Sequence, residues 1–367
     1  MNRLIVAGGG TGGHVYPLLA VVEALRRQEQ DAQVLFLGRP GSVEERLARK
    51  EGLAFSPIAA AAVRGKGPVR AAVSLLHVLT GTRAALGAIR RFGPEVVLVT
   101  GGYVSVPVAL ASRIARRPLV VCLPDMEPGM AVQLLARLAQ TVTVSFEEVR
   151  HLLPPGKAVV TGYPVRAAFF DGQRAEARAR LGLALDGRVL VVLGGSSGAR
   201  NLNNAVLAAL PDLLELGTIC HITGPLDWER VQARREALDT CVREQYRIYS
   251  YVEDDMARLL RAADLVVARA GAATLGEFPA VGVPSLLVPG DFAGGHQAVN
   301  ARFLEQRGAA EVLADADLSR QFLTRVRALL RDPARLAAMA EAAGCLARPN
   351  ACEAIVAELA RVARLPS

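Results

Sequence analysis

Short runs of Val, Leu and Ile recur along the chain and alternate with longer amphipathic stretches. Apolar runs of this length indicate strands of a parallel sheet that is covered on both faces. They predict strands at residues 4–7, 34–37, 96–99, 119–122 and 142–144, and again at 189–193, 219–222, 248–251, 265–268 and 285–288. The tail, from residue 316 to 367, is predicted to be helical throughout. The whole pattern predicts an α/β protein with two doubly wound domains.

A turn-prone segment separates the two series of strands. Residues 152–156 (LLPPG) end the preceding helix, and residues 161–166 (TGYPVR) form a linker. We expect a first domain at residues 1–163, a second at 164–346, and a C-terminal helix at 347–367 that packs back on the first. Ligands bind at the carboxyl ends of parallel strands, so two such domains facing each other would build one cleft.

Two glycine-rich loops each follow an apolar strand and open a helix. The first reads GGGTGGH at residues 8–14, and the second reads GGSSGA at residues 194–199. Glycine lets the backbone approach an anion closely, and the following helix directs free N–H groups and a positive dipole end at it. The presence of two such loops predicts two phosphate-bearing ligands, or one ligand that is bound from both sides. Thr11, Gly12 and Gly13 are the candidate ligands in the first loop.

The first glycine loop leads directly into His14. An imidazole at this helix start either acts as a general base beside a bound anion or bonds a backbone group. The loop also fits the G-x-G-x-x-G spacing of dinucleotide sites. An NAD site needs a carboxylate after the second strand, where this chain has Arg39, a residue that suits NADP instead. A dehydrogenase therefore stays open at this point.

Two further glycine turns follow predicted strands. Gly101, Gly102 and Tyr103 either add backbone donors for a diphosphate or form an ordinary tight turn. After the strand at 265–268, Gly271 and Thr274 place amides and a hydroxyl at a helix N-terminus, ready for a pyrophosphate.

Several polar side chains near the second half's helices are candidate ligands. Glu277, one turn into its helix, either accepts the two hydroxyls of a ribose or compensates the helix dipole. Gln297 and Asn300 share a helix face, and their amides either read sugar hydroxyls or cap and solvate the helix. Residues 253–255 (EDD) fit the cap of a helix starting near Met256 better than a metal site.

The charge of the chain is unevenly distributed. Residues 1–160 hold 19 Lys and Arg against 11 Asp and Glu, whereas the remainder holds 24 of each. This asymmetry suits an anionic membrane surface, a phosphorylated acceptor or nucleic acid, or reflects an Arg-rich composition. The basic residues 64–70 (RGKGPVR) precede an apolar helix, and either rest on anionic lipid or form a surface loop.

Cysteine usage and hydropathy narrow the class of protein. The five cysteines lack C-x-x-C spacing, which predicts buried thiols in a reducing compartment rather than disulfides or a zinc site. No apolar run reaches the roughly 18 residues that span a bilayer. The strand-like start at Arg3 predicts the absence of a signal peptide.

Seven motifs, in order along most of the chain, resemble those of the MurG family. These transferases add N-acetylglucosamine to lipid I, a membrane-bound precursor of peptidoglycan. The matching segments are residues 9–14 (GGTGGH), 64–67 (RGKG), 101–105 (GGYVS), 164–166 (PVR), 194–203 (GGSSGARNLN), 269–277 (RAGAATLGE) and 297–300 (QAVN). The resemblance implies the GT-B fold, with two Rossmann-like domains facing across a cleft.

The resemblance also implies roles for individual residues. His14 is the candidate base in the acceptor cleft, and Arg166 and Ser196 contact the diphosphate of the donor. Ala273 and Thr274 lie near the phosphates, Glu277 binds the ribose, and Gln297 and Asn300 belong to the segment that reads the sugar. The implied partners are a UDP-sugar, a lipid-linked acceptor and the anionic cytoplasmic face of the cell membrane, with no nucleic acid. No cofactor or metal is expected, because amides and helix ends would stabilise the leaving diphosphate.

The chain departs from the family pattern in two places. The family's His-Glu-Gln-Asn segment is replaced at residues 123–129 by LPDMEPG, so Asp125 and Glu127 become candidate substitutes as base or sugar ligand. The family's Gln-Gln pair is His296 and Gln297 here.

The sequence thus predicts an inverting, metal-independent transfer of N-acetylglucosamine from UDP-GlcNAc. Three alternatives share the fold: a UDP-sugar transferase with another lipid acceptor, a UDP-GlcNAc 2-epimerase, and a non-catalytic homologue that binds UDP-sugar.

Overall fold

The computed structural model describes residues 1–10, 12–60, 68–195, 198–290 and 295–365, with side chains from residue 75 onward in the segment that starts at 68. The chain divides into two compact units. The first comprises Met1–Arg166 together with Arg348–Ser367, and the second is Ala167–Ala347. The chain therefore leaves the first unit once and returns to it at its end.

The first unit is built on a seven-stranded parallel sheet in the order β3-β2-β1-β4-β5-β6-β7. Its strands are β1 (Arg3–Ala7), β2 (Gln33–Gly38), β3 (Ala54–Pro57), β4 (Val96–Val99), β5 (Leu119–Leu123), β6 (Thr141–Val144) and β7 (Ala158–Val160). Its helices are α1 (Gly12–Gln28), α2 (Val43–Lys50), α3 (Pro68–Phe92), α4 (Ser105–Ile114) and α5 (Met130–Leu138), joined by α16 (Ala351–Ala363) from the end of the chain.

The second unit repeats this plan with six parallel strands in the order β10-β9-β8-β11-β12-β13. Its strands are β8 (Val189–Leu193), β9 (Thr218–Ile222), β10 (Tyr246–Tyr249), β11 (Leu265–Ala268), β12 (Ser285–Leu287) and β13 (Ala310–Val312). Its helices are α6 (Arg174–Arg180), α7 (Arg200–Ala208), α8 (Leu210–Leu214), α9 (Trp228–Glu236), α10 (Thr240–Arg243), α11 (Met256–Ala262), α12 (Glu277–Val281), α13 (His296–Gln306), α14 (Leu318–Leu330) and α15 (Pro333–Cys345). The two predicted doubly wound domains are confirmed.

The returning helix α16 completes the core of the first unit. Its buried residues Ile355 and Leu359 belong to the same apolar cluster as Leu18 and Leu25 of α1. The Cys352 thiol donates to the Val165 carbonyl oxygen at 3.4 Å, which fixes the end of the segment that leads into the second unit.

The strands that the apolar pattern missed are β3, β7 and β13, and all three lie at sheet edges. An edge strand has only one strand neighbour, and these three are only partly buried, so their apolar runs are short, as in AVV of β7, or interrupted, as in AEV of β13. The strand predicted at 248–251 instead spans Tyr246–Tyr249, because Tyr246 is fully buried. The tail is not one continuous helix: breaks before Pro333 and at residues 346–350 divide it into α14, α15 and α16.

Within the described ranges, no helix has the length and apolar character that crossing a membrane requires.

Candidate active site

Three neighbouring strands of the first sheet, β1, β4 and β5, end side by side at its carboxyl edge. The described residues that follow them, at 8–10, 12–14, 100–104 and 123–129, form what we call the first loop edge. The sheet order therefore brings together His14, the turn at 101–103 and the substituted segment of Asp125 and Glu127. Thr11 lies outside the described residues.

The first two loops of this edge pack backbone against backbone. Gly102 has φ +74°, and a Cβ built on it would lie 2.5 Å from the Gly9 carbonyl oxygen, so only glycine fits there. A Cβ on Gly10 would lie 3.3 Å from the Tyr103 ring. The buried Ser105 hydroxyl accepts from the Gly101 N–H at 3.3 Å and donates to the Gly101 carbonyl oxygen at 2.5 Å. The turn at 101–103 is thus a fixed wall of the first glycine loop.

His14 is held at the third position of α1, half-buried against this wall. Its carbonyl oxygen accepts a 2.6 Å hydrogen bond from the hydroxyl of Thr100, a fully buried residue. A Cβ built on Gly101 would lie 3.6 Å from the His14 Nε2 atom, so the ring lies between the two glycine turns. The imidazole therefore lies where a group bound to either turn can reach it.

Two cation–aromatic contacts flank the same loops. The Arg166 guanidinium lies 5.2 Å from the centroid of the Tyr16 ring, and the Arg39 guanidinium lies 5.3 Å from that of Tyr103. Arg39 also pairs with Glu44, a carboxylate only 1% exposed, at 3.8 Å. Since Glu44 compensates Arg39, that arginine does not bring a free charge for the 2′-phosphate of NADP. Arg166 lies at the last residue of the first unit's main segment.

The segment that replaces the family's His-Glu-Gln-Asn is anchored through its prolines. The Ser145 hydroxyl donates to the Pro124 carbonyl oxygen at 3.1 Å, and the Gln133 amide donates to that of Pro128 at the same distance. Asp125 and Glu127 are both half-buried within this fixed loop. Their carboxylates therefore belong to the first loop edge, as the sequence predicts, while their roles stay predictions.

The second sheet repeats this arrangement with β8, β11 and β12 as neighbours. The described residues of the segments after them, at 194–195, 198–199, 269–276 and 288–290, form the second loop edge. Gly198 has φ +82°, and a Cβ built on it would lie 2.3 Å from the Thr223 carbonyl oxygen, so glycine is required. Ser196 lies outside the described residues, as do residues 61–67, which include most of the basic segment at 64–70, and residues 291–294.

The pyrophosphate-type turn differs in detail from its prediction. A 3₁₀ helix at Ala272–Leu275 follows Gly271, and the buried Thr274 hydroxyl donates to the Gly271 carbonyl oxygen at 2.8 Å. Glu277 is the first residue of α12 rather than one turn into it. Glu277 therefore begins its helix directly after the turn, and both Glu277 and Ala273 are half-buried.

The two amides predicted to share a helix face both bind the backbone. Asn300 is fully buried, and its Nδ2 donates to the Ala270 carbonyl oxygen at 3.1 Å. The Gln297 Oε1 accepts from the Gly290 N–H at 2.8 Å. The Nδ1 atom of His296 is buried and has no hydrogen-bond partner among the described residues. His296 therefore keeps a buried ring nitrogen without a partner among the described residues at this helix start.

A buried network that sequence reasoning missed supports the second glycine loop. Asn203 donates through Nδ2 to the Thr223 carbonyl oxygen and to Asp227 Oδ2, each at 2.9 Å, so its Oδ1 must accept from His221 Nε2 at 3.0 Å. His221 Nδ1 then accepts from the Tyr246 hydroxyl at 2.8 Å. Burial lowers the pKa of His221 from 6.5 to about 3, so the ring is neutral with its proton on Nε2.

The acidic run at 253–255 does not form the predicted side-chain cap. Although α11 begins at Met256 as predicted, the Asp255 carboxylate makes no capping bond and pairs with Arg258 instead. Among the residues that the structure describes, no three His, Cys, Asp or Glu side chains cluster as a metal would require.

Most of each unit matches a known domain family. Residues 4–144 match the glycosyltransferase family 28 N-terminal domain, and residues 189–355 match the glycosyltransferase family 28 C-terminal domain. Both domains of a family 28 glycosyltransferase are thus present, in their order.

One curated relative fixes the family more narrowly. It is the UDP-N-acetylglucosamine–N-acetylmuramyl-(pentapeptide) pyrophosphoryl-undecaprenol N-acetylglucosamine transferase of Desulforudis audaxviator, 38% identical over 361 residues that cover 96% of each protein. The chain belongs to this transferase family, the MurG family.

Solved structures agree with this assignment. The crystal structure of Acinetobacter baumannii MurG superposes with a TM-score of 0.73 at 27% identity, covering 98% of this chain and all of that one. A Listeria monocytogenes structure described as a putative UDP-N-acetylglucosamine 2-epimerase gives 0.71 at 16% identity, covering 100% of this chain and 98% of that one. That second likeness extends to the fold alone. The predicted GT-B class is confirmed, and the transferase is favoured over the epimerase.

Proposed function

We propose that this protein transfers N-acetylglucosamine from UDP-GlcNAc to N-acetylmuramyl-(pentapeptide) pyrophosphoryl-undecaprenol, a step of peptidoglycan synthesis. The observation that carries the proposal is the 38% identity across 96% of the chain, which spans both loop edges. The second loop edge would hold the UDP-sugar, with Gly271, Ala273 and Thr274 near the diphosphate and Glu277 on the ribose. The first loop edge would hold the lipid-linked acceptor.

The chemistry is a single displacement. A base takes the proton of the acceptor hydroxyl as its oxygen forms a bond to the anomeric carbon. The bond from that carbon to the UDP oxygen breaks, and UDP leaves with the electron pair, so the anomeric configuration inverts. His14 is the proposed base because its ring lies between the turns at 8–13 and 101–103. Asp125 and Glu127, on the neighbouring loop, are the second candidates.

The leaving diphosphate is proposed to be stabilised without a metal ion. Backbone amides of the second glycine loop, the Gly271 turn and Arg166 would meet its charge. His296, whose Nδ1 is unused among described residues, and Gln297 would read the sugar.

The test is release of UDP from UDP-GlcNAc with and without the lipid-linked muramyl-pentapeptide acceptor, each with and without a chelator. We expect release that needs the acceptor and survives the chelator. Consumption of UDP-GlcNAc without acceptor would instead indicate the epimerase, and release with diacylglycerol alone would indicate another lipid acceptor. Activity abolished by the chelator and restored by Mg²⁺ would refute metal independence.

We also propose that the first unit rests on the anionic cytoplasmic face of the cell membrane. Helices that connect parallel strands run opposite to them, so the first halves of α3 and α5 lie at the first loop edge. These half-helices carry large exposed apolar side chains: Leu75, Leu76 and Leu79 are about 60% exposed and Met130 is 89% exposed. The sequence adds the basic residues 64–70 just before them, which suits anionic lipid.

Co-sedimentation with vesicles tests the membrane proposal. Leu75→Glu with Leu79→Glu should weaken binding to phosphatidylglycerol vesicles by at least about tenfold, since each buried leucine contributes roughly 1.5 kcal/mol or more. The matched control is Leu226→Glu, because Leu226 is 74% exposed and belongs to the second unit. Equal binding of the two variants would rule out this apolar surface.

A further inference from the structure

A buried arginine at the end of β11 connects the loops of the second loop edge. Arg269 is only 6% exposed and follows the last residue of β11. Its Nη1 donates to the carbonyl oxygens of Val288 at 3.1 Å and Pro289 at 3.3 Å. These two carbonyls follow the last residue of β12 and lie outside the hydrogen-bond ladder of the sheet. The Arg269 guanidinium therefore donates to them in place of a neighbouring strand.

The charge of Arg269 is compensated from a third loop. Asp315, in the 3₁₀ helix after β13, approaches the same Nη1 at 2.5 Å through Oδ1. The other carboxylate oxygen accepts from Asn201 Nδ2, also at 2.5 Å. Asn201 is the second residue of α7, which opens directly from the second glycine loop. One ion pair thus connects the loops that follow β8, β11, β12 and β13.

The backbone of Arg269 is fixed as well. Its N–H donates to the Leu193 carbonyl oxygen at 3.3 Å, and the next residue's carbonyl receives the Asn300 amide at 3.1 Å. Moving the guanidinium away from Asp315 would leave its charge in the protein interior without that partner, which is costly. The loops it joins carry the diphosphate, ribose and sugar contacts of the proposed function.

We infer that Arg269 is a positioning residue that, with Asp315 and Asn201, holds the loops of the second loop edge in the geometry that binds the UDP-sugar. The inference rests on the proposed function, although its structural part can be tested without any ligand. Arg269 contacts protein atoms in this arrangement, so it acts through the loops rather than on the substrate.

The chain contains a matched control at the opposite end of the same strand. Asp264 precedes β11 and is 7% exposed, and Arg178, 5% exposed, donates to it at 2.7 Å. Arg178 also donates to the Leu185 carbonyl oxygen at 2.5 Å and to that of Gly187 at 2.8 Å. Both arginines are therefore buried, paired with an aspartate and bonded to loop carbonyls. Only Arg269 lies at the second loop edge.

The experiment compares Arg269→Lys with Arg178→Lys. Lysine keeps the charge, but its ammonium is a compact and strongly hydrated group on a shorter reach. It therefore does not reproduce the Arg269 Nη1 atom, which contacts Val288, Pro289 and Asp315, or the several contacts of the Arg178 guanidinium. In the ligand-free protein, Arg269→Lys should speed amide hydrogen exchange about tenfold in residues 198–203, 269–276 and 288–290, while Arg178→Lys leaves those segments unchanged. Unchanged exchange in Arg269→Lys would overturn the inference, whatever the ligand results.

Binding then tests the connection to the substrate. Calorimetry with UDP should show Arg269→Lys weakened about ten- to hundredfold and Arg178→Lys within twofold of the wild type. In turnover, the KM for UDP-GlcNAc should rise while the KM for the acceptor does not. Equal UDP affinity of both variants would overturn the inference. Failure of the wild type to bind UDP would refute the proposed function, with hydrogen exchange still deciding the structural role.

Asp315→Asn gives a second route if Arg269→Lys does not fold. It removes the compensating charge while an amide can still contact Asn201 and the guanidinium. It should reproduce the same exchange pattern and a smaller loss of UDP affinity, about three- to tenfold. Wild-type exchange and affinity in Asp315→Asn would contradict the inference.

Discussion

The two glycine loops have nearly the same sequence pattern but different structural supports. The first is held by neighbouring backbone and short hydroxyls, with Gly102 against the Gly9 carbonyl and Thr100 bonded to the His14 carbonyl. The second packs against the Thr223 carbonyl beside Gly198, which accepts from the buried Asn203 amide, and Asn203 in turn bonds His221 and Asp227. A loop supported by backbone contacts has few groups that titrate, whereas the second loop depends on a histidine staying neutral.

The largest expected effect distinguishes catalysis, which we assign to the first loop edge, from UDP binding, which we assign to the second. His14→Ala should lower kcat by about 10²–10⁴, the usual contribution of a general base, while UDP affinity stays unchanged. Steady-state kinetics and UDP calorimetry measure the two quantities. His151→Ala is the control, because His151 is an exposed histidine of the same unit. Wild-type turnover in His14→Ala would transfer the role of base to Asp125 or Glu127, whose Asn and Gln variants are then compared.

The next-largest effect is expected from a substitution that removes the buried network supporting the second glycine loop. Asn203→Leu leaves the Thr223 carbonyl, Asp227 and His221 each short of a buried partner, and each such loss costs about 1–3 kcal/mol. We expect the second unit to lose roughly 3 kcal/mol or more. A two-domain chain need not unfold in one step, so hydrogen exchange of the β9 amides is the measurement. A loss below about 1 kcal/mol would show that the network contributes little.

A pH titration tests whether the supports of the two glycine loops differ in the pH dependence of their stability. The pKa of His221 is about 3 in the native protein and near 6.5 when unfolded, so below pH 6.5 only the unfolded state takes up this proton. The stability of the second unit should therefore be full above pH 6.5 and fall by up to about 1.4 kcal/mol per pH unit below it. Exchange of the β9 and β1 amides between pH 6.5 and 5 compares the two units.

The variant His221→Gln is the control for this titration, since glutamine cannot take up the proton. If its β9 amides keep the wild-type pH dependence, the titrating group lies elsewhere.

The smallest effect concerns the first loop. Thr100→Val keeps the side-chain shape and removes only the hydroxyl that bonds the His14 carbonyl, so about 1 kcal/mol should be lost from the first unit. The β1 amides report the change, and the β9 amides should not respond. A loss as large as that in Asn203→Leu would erase the distinction between the two supports.

The central strands of both sheets could be predicted because they are buried on both faces. β4 reads VVLV and β11 reads LVVA, with every residue buried, so the apolar run and the strand coincide. β7 and β13 were not predicted in this way, because these partly buried edge strands are only three residues long and read AVV and AEV.

The candidate site shows the same division between local and distant information. A glycine loop after a strand is a local pattern, and both loops lie where the sequence predicts them. The supports of the second loop join residues far apart in sequence, such as Arg269 with Asp315 and Asn203 with His221. Only the sheet order reveals these pairs. Asn300 shows the limit of residue type alone, since its amide suits a sugar hydroxyl but binds the Ala270 carbonyl.

The packing of α16 against α1 has a consequence for synthesis on the ribosome. The first unit cannot bury the α1 face that α16 covers until residues 351–363 emerge, long after residue 166. At typical elongation rates of about 5–20 residues per second, that wait lasts roughly 10–40 s. During this interval an apolar helix face stays open to chaperones or to other nascent chains. The second unit is one continuous segment of the chain, so it can complete its core before the first unit does.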